Sequence, residues 1–415
     1  MDHSPKAIDI AEYDYALPAE RVAKFPLERR DQSRLLVFDG QFRDEAFERL
    51  DQFLPAGSLL VFNDAKVVRA RLEFHKPTGG RVEVFLLEPH EPPTHEQAFA
   101  AQEQVVFRCL VGNLKKWKGE RLARRLELAD GGEVALEAEH LGAWGTAQLV
   151  RLRWDGPASF AQVVEQAGQV PIPPYLDRES QAVDDERYQT LYARREGSVA
   201  APTAGLHFTP AVFERLHLRG VRRETLSLHV GAGTFRPVKS ERLDGHEMHA
   251  ERFAAPRRLL EALLAGQGPV VAVGTTSLRA LESLYWMGCK LLLDQPEPFF
   301  LGQWEPYQLQ PLPARQALEA LLGHMGRHGL DELPATTQVI IGPGYALRVA
   351  QGLVTNFHQP RSTLLVLVAA LLGQRWKELY QFALDNGYRF LSYGDSSLLW
   401  DPAQSRGMEF ENTKK

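Results

Sequence analysis

Two periodicities divide this chain. Between residues 67 and 154 apolar and polar positions alternate, most cleanly in RVEVFLLE at 81–88, with Gly79-Gly80 and Gly131-Gly132 as punctuation. A period of two puts successive side chains on opposite faces of a strand. Residues 133–137 and 147–153 carry the same signal. The segment 67–154 is therefore expected to be a β-rich module, a small barrel inserted into a larger domain made of 1–66 and 155–415. Ahead of it, residues 35–38 and 58–62 read as short buried strands. The second opens onto Asn63-Asp64, a polar turn of the kind that presents side chains to ligands.

After Pro157 helical and strand signals alternate. Helices are predicted at 159–167, 186–193, 210–220, 256–265, 277–286, 315–324, 362–372 and 376–386, and strands at 223–230, 269–273 and 338–341. Thr209 followed by Pro210 is a good helix start, Gly387 a stop, and VPIPPY at 170–175 an extended connector. The pattern predicts an α/β fold with a largely parallel sheet. The stretch 286–337, with six prolines, reads as an outer elaboration or a lid.

Composition narrows the class. The 415 residues are 44% hydrophobic and 24% charged, with a net charge of −5, which argues against a generally basic nucleic-acid binder. Cys109 and Cys289 are too few for a disulfide framework or a cysteine metal site, and suit a reducing cytosol. No N-terminal basic-then-apolar pattern indicates a signal peptide. The nine-residue apolar run 364–372 is too short to span a membrane and reads as a buried helix. A cytoplasmic monomer is expected.

Candidate chemistry concentrates where histidines meet glycines and threonines. His207, His217, His229, His246 and His249 are five of the chain's thirteen histidines. Thr203-Ala204-Gly205-Leu206-His207 reads as a tight turn offering Thr203 and His207 to one ligand, or as a plain helix-capping loop. His229-Val230-Gly231-Ala232-Gly233-Thr234 follows a predicted strand, where α/β folds bind ligands; the plainer reading is a glycine turn. His246-Glu247-Met248-His249-Ala250-Glu251 would form a metal pair on a helix, but substrate hydrogen bonding or acid–base work suits it better. Gly274-Thr275-Thr276-Ser277 is a strand-to-helix turn whose free N–H groups suit a carboxylate or phosphate, with Arg279 one turn on. Thr355-Asn356-Phe357-His358 and Ser392-Tyr393-Gly394-Asp395 set polar groups beside apolar runs. Lys115, Lys116, Trp117, Lys118 and Arg121 could hold a phosphate backbone, or form a solvated hairpin.

The segments SRLLVFD, LLVFNDAKVVRARL, TGGRVEVFLLE, RYQTLYA, VAAPTAGLHF, TLSLHVGAGTFRPV, HEMHAE, VAVGTTSLRALES, PGY, TNFHQPRSTLLVLVAA and YRFLSYGD occur in this order along nearly the full length. Together they closely resemble the S-adenosylmethionine:tRNA ribosyltransferase-isomerase family of queuosine biosynthesis. The resemblance implies a large barrel-like α/β domain with an inserted small β-barrel. It implies transfer and isomerisation of the ribosyl group of S-adenosylmethionine onto 7-aminomethyl-7-deazaguanine at the tRNA wobble position, giving epoxyqueuosine-tRNA and releasing adenine and methionine. S-adenosylmethionine would be a substrate, with no true cofactor and no metal.

On that resemblance His207 and His229, oriented by Thr203 and Thr234, are the expected proton-transfer or ring-contact groups. Thr275, Thr276 and Arg279 suit the methionine carboxylate. Gly205, Gly231, Gly233, His246, His249, Glu251, Asn356, His358, Tyr393 and Asp395 would complete the pocket. The chain departs from the family pattern at Ala65-Lys66 and Gln359, and in NLKKWKGE at 113–120. A same-fold enzyme with a different acceptor, and a silent RNA-binding relative, remain alternative readings.

Overall fold

A ten-stranded mixed sheet carries the larger part of the chain; the computed structural model describes residues 5–76, 78–231, 238 and 240–402. From one edge to the other the strands are Phe300–Leu301, Glu332–Thr337, Glu251–Pro256, Arg222–Leu228, Leu59–Asn63, Val270–Val273, Gly352–Asn356, Ser396–Trp400, Arg34–Phe38 and Phe42–Ala46. The centre is parallel, with Leu59–Asn63 between Arg222–Leu228 and Val270–Val273, and Gly352–Asn356 beyond. Antiparallel ladders flank it, so the sheet is less parallel than the sequence pattern suggests.

Alternation explains why its strands read as unbroken apolar runs. Leu36, Leu59, Val61, Ala272 and Leu353 enter one core, against the helices Thr275–Leu292 and Thr363–Leu372. Their neighbours Leu35, Leu60, Val271 and Val354 enter a second core on the opposite face, around Phe47, Phe208 and Trp400. A sheet covered on both faces has no polar side to show.

Most predicted elements lie within a residue or two of their expected places. Pro210–Leu218 starts as read, with the Thr209 side chain accepting from Val212 N. Ser362 caps Thr363–Leu372 in the same way. Two readings change and a third is narrowed. Residues 338–341 form no strand, although Gln338 N–H donates to the Leu301 carbonyl, and the strand is Glu332–Thr337 just before them. The helix expected at 186–193 is instead Ala182–Arg187, which ends as Tyr188 turns into the core. Of the two readings of 286–337, the structure favours the outer elaboration: none of its residues lines the clefts. The stretch finishes one helix, builds Ala314–His328 and supplies the edge strand of the large sheet and its neighbour. Gly288 allows the two helices to cross, since a Cβ there would lie 2.2 Å from the Ala317 carbonyl oxygen.

The second sheet has seven strands, in the order Gly168–Gln169, Arg71–His75, Arg81–Glu91, Gln104–Gly112, Ala147–Trp154, Glu133–Trp144, Leu122–Glu127. It encloses its own apolar cluster, from Val68 to Ala167 with Val199, which includes the helix Phe160–Ala167. Among the described residues its two end strands share no ladder. The Arg124 guanidinium, on Leu122–Glu127, reaches across the gap to the carbonyls of Glu73 on Arg71–His75 (3.0 Å) and of Ala167 at the end of the helix Phe160–Ala167 (2.9 Å). The sheet is curled, with a side chain spanning the gap between its ends. No described helix is long and apolar enough to cross a membrane.

Candidate active site

Two strand ends and one turn converge on a cleft. Val270–Val273 ends at Gly274, whose φ of 91° lets the chain turn directly into the helix Thr275–Leu292. The neighbouring Gly352–Asn356 delivers Thr355, Asn356 and His358 to the same edge, and the turn Thr203–Gly205 closes the side. Thr203, Thr275, Thr276, Asn356 and His358 all line this cleft, as the sequence proposed, at the carboxyl end of parallel strands. No side chain caps the helix, so its first N–H groups have no partner from a capping side chain, an arrangement that suits an anion. Tyr175, Gln359 and Ser392 also line the cleft.

Asn356 joins this cleft to a second one. Its side-chain amide donates to the carbonyls of Leu391 and Ser392, which leaves Oδ1 as the acceptor. His207 Nε2, 3.1 Å from Oδ1, must therefore carry the proton, and His207 Nδ1 accepts from Ser33 Oγ at 2.8 Å. Burial pushes the His207 pKa down to about 4. The ring is neutral, with both nitrogens engaged, and lines the second cleft beside Arg30, Arg187, Arg389 and Tyr393. His358 is also neutral, pushed to about 3 by burial, with Nε2 2.9 Å from Thr355 Oγ1. Its backbone N–H donates to Tyr380 OH, and Tyr15 OH donates to its carbonyl.

His229 sits apart, on the seam between the two sheets. Its ring stacks on His95, 4.3 Å between centroids, and burial with Arg195 and Arg252 nearby lowers its pKa to about 4. His95 is lowered to about 3 by burial, His229 and Arg252. Gly197 makes room for the pair, since a Cβ there would lie 2.6 Å from His95 and 3.0 Å from His229 Nδ1. That Nδ1 is buried without a hydrogen-bond partner. His229, Val230 and Gly231 line this third pocket; Val230 also lines the first cleft, and Gly231 a fourth cavity.

Several expected residues are committed elsewhere. Arg279 is buried, donating to the Val339 carbonyl and paired with the Glu251 carboxylate, and neither residue belongs to the first cleft. Gly205 is packed against Tyr192, whose hydroxyl a Cβ would overlap. Tyr393 OH donates to Asp184, and Asp395 accepts from the backbone of Arg34 and Arg389. His246 and His249 are not on a helix: the segment is irregular, held through Gln303 and Gln338, with His249 at the fourth cavity. Among the described residues, no three His, Cys, Asp or Glu side chains are placed to hold a metal. Gly233 and Thr234 lie outside the described residues.

Asn63 is a clamp between strands, accepting from Ala65 N and Leu228 N and donating to Leu228 O. Asp64 accepts from Ser227. The expected ligand-facing turn is structural. Trp117 is buried in the curled sheet, its indole N–H donating to Glu120 O, so it is no open stacking surface. Lys115, Lys116, Lys118 and Arg121 remain exposed. Sequence reasoning missed Ser33, Tyr175 and His95, whose partners lie far along the chain.

Residues 10–399 match the family described as queuosine biosynthesis protein. The S-adenosylmethionine:tRNA ribosyltransferase-isomerase of Gloeobacter violaceus is 41% identical over 392 residues, covering 93% of this chain and 94% of its own. The protein of the same name from Azoarcus sp. is 39% identical, over 94% of this chain and 97% of its own. The solved S-adenosylmethionine tRNA ribosyltransferase from Thermotoga maritima is 26% identical, covers 93% of this chain and 99% of that one, and has a TM-score of 0.44. The chain therefore belongs to the queuosine biosynthesis protein family, whose relatives here are named S-adenosylmethionine:tRNA ribosyltransferase-isomerases.

Proposed function

We propose that this chain catalyses the reaction its relatives are named for. It transfers and isomerises the ribosyl group of S-adenosylmethionine onto 7-aminomethyl-7-deazaguanine in tRNA, giving epoxyqueuosine-tRNA with release of adenine and methionine. The observation that carries the reading is the first cleft. An uncapped helix start at Thr275 and Thr276 faces neutral polar groups at the ends of two parallel strands. The methionine carboxylate of the donor fits the N–H groups there, where the helix dipole favours an anion. Thr203 and Asn356 orient the nucleoside.

The reaction needs a proton removed beside the sulfonium and a partner for the departing adenine. We assign the proton to His229, which enters as a neutral ring. His207 has both nitrogens engaged and acts as a positioning residue on Asn356. Arg279 acts in the same sense, fixing Glu251 behind the helix. Residues 67–154 form most of the inserted unit on a large unit of 1–66 and 155–415; the curled sheet's separate apolar cluster supports an inserted unit and extends it past 154, to the helix Phe160–Ala167 and the strand Gly168–Gln169. Both cysteines are buried and free, in keeping with a cytoplasmic setting.

The test incubates the protein with S-adenosylmethionine and tRNA that does or does not carry 7-aminomethyl-7-deazaguanine, and follows adenine by chromatography. Adenine release that requires the modified base is the expected result. Tight S-adenosylmethionine binding without release would favour a different acceptor.

A further inference from the structure

The seam between the two sheets holds a cavity of about 290 Å³, larger than the first cleft at about 90 Å³. One wall is Trp144, at the end of Glu133–Trp144, with 46% of its surface exposed. The ring is held in place without being covered: the Arg108 guanidinium lies 5.3 Å from its centroid and the His90 ring 4.9 Å. Glu88 lines the same cavity, 3.2 Å from Arg108, with its side chain 46% exposed. The opposite wall is the segment His249 to Glu251 from the large sheet.

The cavity is continuous with the reacting region. Leu87, Glu88, Arg108 and Gly231 line both it and the His229 pocket, and Val230 lines both that pocket and the first cleft. Two ligands, one in the cleft and one in the seam, would therefore meet at His229–Gly231. An aromatic wall with an adjacent carboxylate is the chemistry that reads a guanine-like base. The ring stacks on the heterocycle, and the carboxylate accepts from its adjacent N–H groups. Enzymes that act on a base in a nucleic acid take it out of the stack into such a pocket.

We propose that the seam cavity binds the acceptor base, a guanine-like heterocycle turned out of the tRNA, with Trp144 as its stacking wall and Glu88 accepting from its N–H edge. The assignment rests on the functional reading above. The donor then lies against the large sheet and the acceptor between the two sheets.

The test uses the full chain as wild type, W144A, W144F and E88Q. Each is titrated with S-adenosylmethionine, with free 7-aminomethyl-7-deazaguanine and with tRNA bearing that base. W144A is expected to raise the KM for modified tRNA roughly ten- to one-hundred-fold, the range for loss of one base–aromatic stack. W144F stays near wild type because it keeps a ring. E88Q raises the same KM. All three keep the wild-type Kd for S-adenosylmethionine, which also reports that they fold. The free base should lose affinity in W144A and E88Q as well. A loss confined to tRNA would mean contact with the surrounding RNA and would overturn the assignment. So would an unchanged acceptor KM, or a loss confined to S-adenosylmethionine. Wild-type turnover separates the two claims: without it the functional reading fails and the assignment with it, whereas with it an unchanged W144A overturns the assignment alone.

Discussion

Three histidines in or beside the candidate site, His207 buried and His229 and His358 half-buried, are neutral, and their neutrality has consequences at the scale of single residues. His207 and His229 are lowered to about 4, and His358 to about 3, each chiefly by burial. In the unfolded chain each titrates near the ordinary value of about 6.5. Between about 6.5 and about 4 the unfolded state therefore binds more protons than the folded one. Stability is complete above that window and falls as the pH drops through it. The urea midpoint should decline from pH 6.5 to pH 4, and H207Q should flatten that slope; a midpoint constant over the window would contradict the burial argument. The histidines should also leave no inflection near pH 6.5 in kcat, so any rise with pH comes from the acceptor amine. H229A should lower kcat roughly 10²- to 10⁴-fold, the usual worth of a positioned acid or base, with the Kd for S-adenosylmethionine near wild type. Full activity in that variant would remove His229 from the chemistry. The clustering of histidine among glycine and threonine drew the eye to His207 and His229. Their environments were not legible, because Ser33 and His95 reach them only through the fold.

At the scale of elements, legibility followed burial. The helix Thr363–Leu372 and the strands Leu59–Asn63 and Val270–Val273 are covered on all sides, so their apolar runs were unambiguous. Confusion arose where burial and hydrogen bonding part company. Val339, Ile340 and Ile341 are buried but belong to no ladder, while Glu332–Thr337 alternates buried with less buried positions and pairs with Glu251–Pro256. Reading β-branched residues as a strand picks the first and misses the second. Helix crossings were invisible for a related reason: Gly288 carries no periodic signal, yet its missing Cβ sets the approach of Thr275–Leu292 to Ala314–His328. G288A forces that contact apart and should cost about 1–3 kcal/mol, read from urea unfolding. A loss below a few tenths of a kcal/mol would mean that the helices part freely. Because the same helix begins at Thr275, G288A should also disturb donor binding more than a surface substitution such as E319A.

The molecule is built chiefly on two large sheets, the first with a core on each face and the second with a core of its own, and the proposed reaction runs along the line where these sheets meet. Leu226 and Leu228 anchor the large sheet just before His229, while the curled sheet brings His95, Glu88, Arg108 and Trp144 to the same line. The change in periodicity near residue 67 was plain in the sequence. That the two sheets would share a site was not, since no local pattern says which faces meet. The central claim is that the ribosyl carbons of S-adenosylmethionine end up on the wobble base. The most direct measurement digests the tRNA after reaction with donor labelled with ¹³C in its ribose and weighs the wobble nucleoside. The account predicts epoxyqueuosine carrying the ribose label, formed one-for-one with adenine. Unlabelled 7-aminomethyl-7-deazaguanosine, recovered after adenine has been released, would contradict it.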